Sequence, residues 1–140
     1  MDKLDEIYKM QQNLNKYIGR DTVSSNIKQN WLFDYSEALE AEIRELKNCC
    51  LWKWWVKEFK DNQEDQFNKI IDFDNAKIEA IDCLHFLISI FQILDMSPDD
   101  IFAIYKKKYI VNIQRQDSDY SMRNKTEKDN QSIFEKKENK

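Results

Sequence analysis

The stretch FDNAKIEAIDCLHFLISIFQIL, residues 73–94, is too long and too free of Gly and Pro to be a strand. It reads as one helix from about Phe73 to Leu94. From Ala80 onward it is apolar almost all round, which predicts a central, buried helix. Its opening is unusual for such a helix. Glu79 and Asp82 stand three apart, one turn of spacing, and Asp82, His85 and Ser89 share an edge. Outward from it, Asp95-Met96 is a short link. Ser97-Pro98-Asp99-Asp100 then supplies an N-cap, a proline at the first helical position and acids in the first turn. A helix over Pro98 to about Gln116 follows. Toward the N-terminus, Lys60–Lys69 is polar and predicts a loop. Before it a helix is expected from Asp34 or Ser36, both reasonable caps, through Trp55 to about Phe59. Leu4, Ile7, Tyr8, Gln11, Leu14 and Ile18 recur at helical spacing and predict a first helix over residues 3–18, with a connection from Gly19 to Asn30.

Four helices with one short link predict an all-α, compact four-helix-bundle core over residues 1–120. From Ser121 to Lys140 half the residues are charged, and only Met122, Ile133 and Phe134 are large and apolar, which predicts a disordered or loosely attached tail. The rest of the composition agrees. Of 140 residues, Gly and Pro occur once each, at Gly19 and Pro98. Sandwiches and barrels need turn residues at every hairpin, and phosphate-cradling loops need glycines, so both are excluded. A net charge of −4 argues against a duplex nucleic-acid binder. Cys49, Cys50 and Cys83 are odd in number, with no C-x-x-C, and read as small buried residues in a reducing, cytoplasmic compartment. The longest apolar run falls short of a membrane span, and the charged N-terminus is unlike a signal peptide.

The second helix carries a stripe of Tyr35, Ala38, Leu39, Leu46, Cys49 and Val56. Glu42 falls inside that stripe and Glu45 on its flank, while Glu37, Glu40, Arg44 and Lys47 take the opposite face. Two acid-x-x-acid pairs, Glu42/Glu45 and Glu79/Asp82, therefore point inward on two helices. A buried carboxylate costs several kcal/mol, on the order of 3–5, unless it is paired or bound to a cation. Lys and Arg could neutralise these acids as structural ion pairs, or helix ends could leave them partly wet. Alternatively, they converge on a hard divalent cation, for which an all-oxygen set suits Mg²⁺.

Three further groups stand out. Lys108, Asn112 and Arg115 share a face that continues Ile101, Ile104 and Tyr105, the chemistry of phosphate binding or of a basic helix end. Gln11, Gln12 and Asn15 place amides toward the interior, for reading a base edge or for ordinary buried hydrogen bonding. Trp52 lies on the inner edge of the acidic stripe, and Trp54 and Trp55 point elsewhere. Such aromatics belong to a core or a subunit interface, with base stacking as the alternative. His85 reads as a core histidine.

Four blocks, MQQNLN (10–15), EIRELKNCCLWKWW (42–55), NAKIEAIDCLHF (75–86) and IYKKKYIVNIQRQDSDY (104–120), together resemble the dimeric all-α dUTPases. These belong to the all-α NTP pyrophosphatase superfamily with the MazG-like enzymes. The short link at Asp95–Ser97 resembles the compact Gram-positive and phage forms. The resemblance implies Mg²⁺, with Mn²⁺ as a substitute, on Glu42, Glu45, Glu79 and Asp82, and a catalytic role for Glu42 and Glu45. It implies uracil contacts from Gln12 and Asn15, and a pocket wall from Trp52 or Trp55. It implies phosphate contacts from Lys53, Lys108, Asn112, Arg115 and Tyr120. Asp119 departs from the glycine often found before that last Tyr. The implied activity is hydrolysis of dUTP, with dUDP as a further substrate, to dUMP by a homodimer. A house-cleaning pyrophosphatase for dCTP or another nucleotide, and a non-catalytic helical interaction protein, are the alternatives.

Overall fold

In the computed structural model, residues 2–61, 69–118 and 128–135 are described. They are helical, with no strand beyond a single antiparallel bridge between Cys50 and Ile70. Helix α1 spans Lys3–Tyr17, a 3-10 turn Lys28–Trp31, α2 Leu32–Lys47, a short α3 Lys57–Asp61, α4 Phe73–Ile93, α5 Pro98–Asp117 and α6 Lys128–Gln131. The all-α expectation holds. The chain divides into two compact units, Met1–Asp95 and Met96–Lys140, so α5 groups with the C-terminal segment and not with the expected unit over 1–120.

Local signals account for most boundaries. Asp2 and Asp5 cap α1 reciprocally, the Asp5 N–H donating to Asp2 Oδ1 at 3.0 Å. Ser97 and Asp100 do the same for α5, with Pro98 at its first position. Asp72 caps α4 by accepting from the Asn75 N–H at 3.1 Å.

Helix α2 differs from expectation at both ends. The 3-10 turn runs straight into it, so Trp31 is the N-cap, with no side-chain cap bond. Asp34, free of capping duty, accepts from Arg20 Nη1 at 3.0 Å. The C-terminal end comes at Lys47, about twelve residues before the predicted end near Phe59. Beyond it the backbone turns to pair with residues 69–72. The Leu51 N–H donates to the Lys69 carbonyl at 2.8 Å, and the Ile71 N–H to the Cys49 carbonyl at 2.8 Å. Cys49 and Leu51 are buried by this pairing, so the apolar stripe continues while the helix does not. Residues 62–68, within the predicted polar loop, lie outside the described residues.

In the first unit α4 packs against α2 and α1. Its buried apolar residues include Tyr35, Cys49, Leu51, Ala76, Ile88 and Ile93. Tyr35 meets Phe86 edge-on, with centroids 6.2 Å apart. Helix α4 is not covered all round, as its composition predicts. Ile81 is 54% exposed, and Leu84 and Leu87 are also exposed, because within this unit only one side of α4 meets α1 and α2. Its C-terminal end is closed by Lys28, whose buried ammonium donates to the carbonyls of Val23 (3.0 Å) and Gln92 (2.9 Å) and pairs with Asp95. Asp95 takes φ +59°, the left-handed conformation that Asp tolerates better than most residues.

In the second unit, residues 128–135 of the expected tail pack on α5. Helix α6 and the turn after it fold against α5, with Val111 and Ile133 buried. Ile133 gives this charged segment something apolar to bury, and Asp129 gives it an ion-pair partner in Arg115. The rest of the expected tail, residues 121–127 and 136–140, lies outside the described residues.

Candidate functional site

Helices α2 and α4 bring the first three acids together. One carboxylate oxygen each from Glu42, Glu45 and Glu79 lies within 4.8 Å of the other two. Glu42 and Glu79 are half-buried and Glu45 is exposed. Asp82 is not in this group of three. It stands one turn further along α4, close enough for its charge to act on Glu42 and Glu79. Among the described residues no ammonium or guanidinium is paired with any of the four; the ion pairs join Lys16–Asp21, Arg20–Asp34, Lys28–Asp95 and Arg115–Asp129. The ion-pair alternative for the acids is therefore not the arrangement found.

Uncompensated like charges have a predictable consequence. Desolvation by burial, followed by the neighbouring Glu79 and Glu45 carboxylates, pushes the Glu42 carboxyl up to about 7. Burial likewise raises Glu79. The Cys83 thiol is also pushed up, first by burial and then by Glu42 and Asp82. Glu42 Oε2 and Glu79 Oε2 are buried without a hydrogen-bond partner. Two orphaned oxygens beside a third carboxylate, all hard donors, fit a small divalent cation such as Mg²⁺.

The amides of α1 behave differently from one another. Asn15 is 1% exposed and its amide is fully used. Its Nδ2 donates to Thr22 Oγ1 (3.0 Å) and Ser89 Oγ (2.9 Å). Its Oδ1 accepts from Gln11 Nε2 (3.1 Å) and from the Tyr35 hydroxyl (3.2 Å). Asn15, the other implied base contact, is in this structure the hub of a buried network. Thr22 continues that network to Gln92 Oε1 at 2.5 Å, and Gln92 Nε2 donates to the Tyr8 carbonyl at 2.8 Å. Gln11 Oε1 meets His85 Nδ1 at 2.6 Å, so His85 is tied to this network, though its side is exposed. Gln12 remains half-buried; its amide is one of the weaker influences lowering the Asp21 carboxyl, after the Ser24 backbone N–H. Sequence reading misses Thr22 altogether, because it sits in a polar connection where nothing nearby marks it as buried.

Trp52, Lys53 and Trp55 follow the Cys50–Ile70 bridge and are not on α2, contrary to the helical-stripe placement of Trp52. All three are exposed. Trp52 Nε1 donates to Asn48 Oδ1 at 3.2 Å, the Lys53 ammonium lies 5.9 Å from the Trp52 ring centroid, and Trp55 meets Trp52 edge-on at 5.7 Å. Trp52 and Lys53 line an open groove of about 910 Å³ with Arg44, Lys47, Asn48 and Cys50.

Lys108, Asn112 and Arg115 lie on α5, in the second unit. Lys108 and Arg115 are half-buried; Asn112 is exposed, and Tyr105, expected on the same inner stripe, is 73% exposed. The helix turns Val111 inward instead. Tyr120 and Asp119 lie outside the described residues.

The sequence pattern of a family described as dUTPase matches residues 3–92, more than half of the chain and all three clustered acids. The chain is similar to a dCTP pyrophosphatase of Enterobacteria phage T4, 27% identical over 105 residues, 65% of this chain and 61% of that protein. A dCTP pyrophosphatase of Enterobacteria phage LZ5 is 30% identical over 104 residues, covering 64% and 60%. A DNA replication protein of phage T4 is 26% identical over 104 residues, 63% of this chain but 26% of that protein. The chain thus matches about three fifths of the length of the two pyrophosphatases. No solved structure matches it significantly. Among the described residues no single helix is long and apolar enough to cross a membrane.

Proposed function

This chain belongs to the dUTPase family, and on that premise we propose that it is a Mg²⁺-dependent nucleoside triphosphate pyrophosphatase that hydrolyses dUTP, and dUDP as a further substrate, with dUMP as the product. The observation that carries the reading is the convergence of Glu42, Glu45 and Glu79 without a cationic partner. These three, with Asp82 beside them, would hold the ion; Mn²⁺ suits the same oxygens. When bound, Mg²⁺ supplies charge neutralisation and polarises a phosphoryl oxygen. Glu45, the exposed member of the three, would take the proton of the attacking water, with Glu42 as its half-buried neighbour. Gln12 meets the base edge, and Trp52 and Trp55 offer it a wall. Lys53, Lys108, Asn112, Arg115 and Tyr120 take the phosphates; a guanidinium fork such as that of Arg115 matches two phosphate oxygens at once.

A second reading keeps the reaction and changes the base. The phage relatives named for dCTP favour it. A panel of dUTP, dUDP, dCTP and dTTP at fixed Mg²⁺ separates the two. We expect release of pyrophosphate from dUTP with at least tenfold preference in kcat/KM over dCTP, about 1.4 kcal/mol of discrimination. Equal turnover of the two overturns the uracil assignment, and no turnover of any nucleotide overturns the enzyme.

The same reading makes the protein a homodimer. Ile7, Met10, Leu14, Ile81 and Leu84, all exposed, line an apolar groove of about 330 Å³ between α1 and α4. A second copy would remove this apolar surface from water. Sedimentation velocity should give a species of twice the chain mass; a species of one chain mass at micromolar concentration rejects the dimer.

A further inference from the structure

The basic groups of α5 already have an occupant. Arg115 holds Asp129 in a bidentate pair, Nε to Oδ2 and Nη2 to Oδ1, both at 2.5 Å. Nη2 also reaches Asn130 Oδ1 at 3.4 Å, and the Lys108 ammonium donates to the same oxygen. Beside Lys108 in the chain, Lys107 Nζ donates to the Ile133 carbonyl at 3.2 Å. Ile133 is 6% exposed and lines one groove with Ile104, Ile110 and Val111, whereas the next residue, Phe134, is 73% exposed. The segment is therefore held by one apolar anchor and by oxygen atoms placed on α5 cations.

Those oxygens imitate what a phosphate would offer. A guanidinium presents the same two parallel N–H groups to a carboxylate and to a phosphate, so it cannot serve both on one edge. The pairing is an ionic one, since the Arg115 hydrogen bonds hold the Asp129 carboxyl below its ordinary range. We propose that residues 128–135 are an internal competitor for the phosphate-binding face of α5, with Asp129 on Arg115 and Asn130 on Lys108 in positions that a nucleotide must reclaim. This rests on the assignment of Lys108 and Arg115 to the phosphates made above. A segment docked in about nine molecules out of ten would weaken apparent phosphate affinity about tenfold. Deletion, mutation or sequestration of the segment would restore it.

The test uses the full-length chain and inorganic pyrophosphate as the probe. Asp129→Asn keeps the side chain's size and removes its charge. It should bind pyrophosphate several-fold to about tenfold more tightly and lower KM for dUTP with kcat unchanged. Arg115→Ala should bind pyrophosphate more weakly. In the unaltered protein, saturating pyrophosphate should accelerate hydrogen exchange at the Ile133 amide, which otherwise donates to the Asn130 carbonyl at 3.1 Å. This last measurement decides the matter if Asp129→Asn fails to fold. If Arg115→Ala weakens binding while Asp129→Asn and the exchange rate show no change, the competitor is overturned and the phosphate assignment stands. If Arg115→Ala leaves pyrophosphate affinity intact, the phosphate assignment falls and the competitor with it. Weaker binding by Asp129→Asn would mean that the segment helps to build the site, which also overturns the proposal.

Discussion

Glu42→Gln should lower Mg²⁺-dependent release of pyrophosphate from dUTP by on the order of a hundredfold or more, and yet make the metal-free protein melt higher than its parent at pH 8. The two effects have one cause. Glu42, Glu45 and Glu79 crowd their oxygens within 4.8 Å with no cation among the described residues to offset them. On the proposed reading such an arrangement serves the ion it would bind, and it works against the fold when nothing is bound. An amide at position 42 removes one charge, keeps the volume and can donate to its neighbours. The pH dependence follows from the raised Glu42 carboxyl, at about 7 in the folded chain against 4.5 for an ordinary Glu. Between those values the folded chain holds a proton that the unfolded chain has released. The stability contributed by that proton is fully present below about 4.5 and is lost as pH rises through about 7. In EDTA, melting temperature should therefore fall across this window in the parent and less steeply in Glu42→Gln. Added Mg²⁺ should raise the parent at pH 8, because an ion bound by the native state alone stabilises it. A variant as active as the parent removes Glu42 from the site. A variant that melts lower in EDTA means that the carboxylate has a structural partner.

How far the sequence carries depends on the range of the interaction that sets each feature. The start of α5 is legible in Ser97-Pro98-Asp99-Asp100, because a capping box is made by residues three apart. The inward turn of Glu42 and Glu79 is legible from helical period alone. The end of α2 is not. It is imposed by residues 69–72, some twenty positions later, which pair with the Cys49–Leu51 backbone. Periodicity continues through Val56 because the buried side chains continue, and that pattern cannot distinguish a helix from an extended turn. The same limit applies to Asp129 and Asn130. In a charged run they look solvated, and only their contact with α5 shows otherwise. The acid cluster is the intermediate case, since each pair is visible in the sequence and their meeting needs the packing of α2 on α4.

Asn15→Ala should cost the fold about 3–5 kcal/mol, the largest loss expected of any polar side chain in the first unit, whatever it does to activity. Removing this amide strands four groups at once. The Gln11 amide and the Tyr35 hydroxyl lose their acceptor, and Thr22 and Ser89 lose a donor. Asn15, Thr22 and Ser89 are at most 1% exposed, so water cannot replace the lost bonds without opening the helix packing. The loss also travels outward. With its Nε2 no longer held by Asn15, Gln11 is free to rotate, and the Gln11 Oε1 to His85 Nδ1 contact at 2.6 Å loses its fixed orientation. Gln12→Ala, one residue from the hub's edge and half-buried, should by contrast leave the unfolding free energy within about 0.5 kcal/mol of the parent. Its effect should appear in KM for dUTP. Urea titration of both variants, with KM measured on each, separates the roles. Loss of stability at Asn15 with KM held once folding is restored marks a structural hub. A KM effect at Asn15 with the unfolding midpoint unchanged would return that amide to the base pocket and show that the buried network opens on binding.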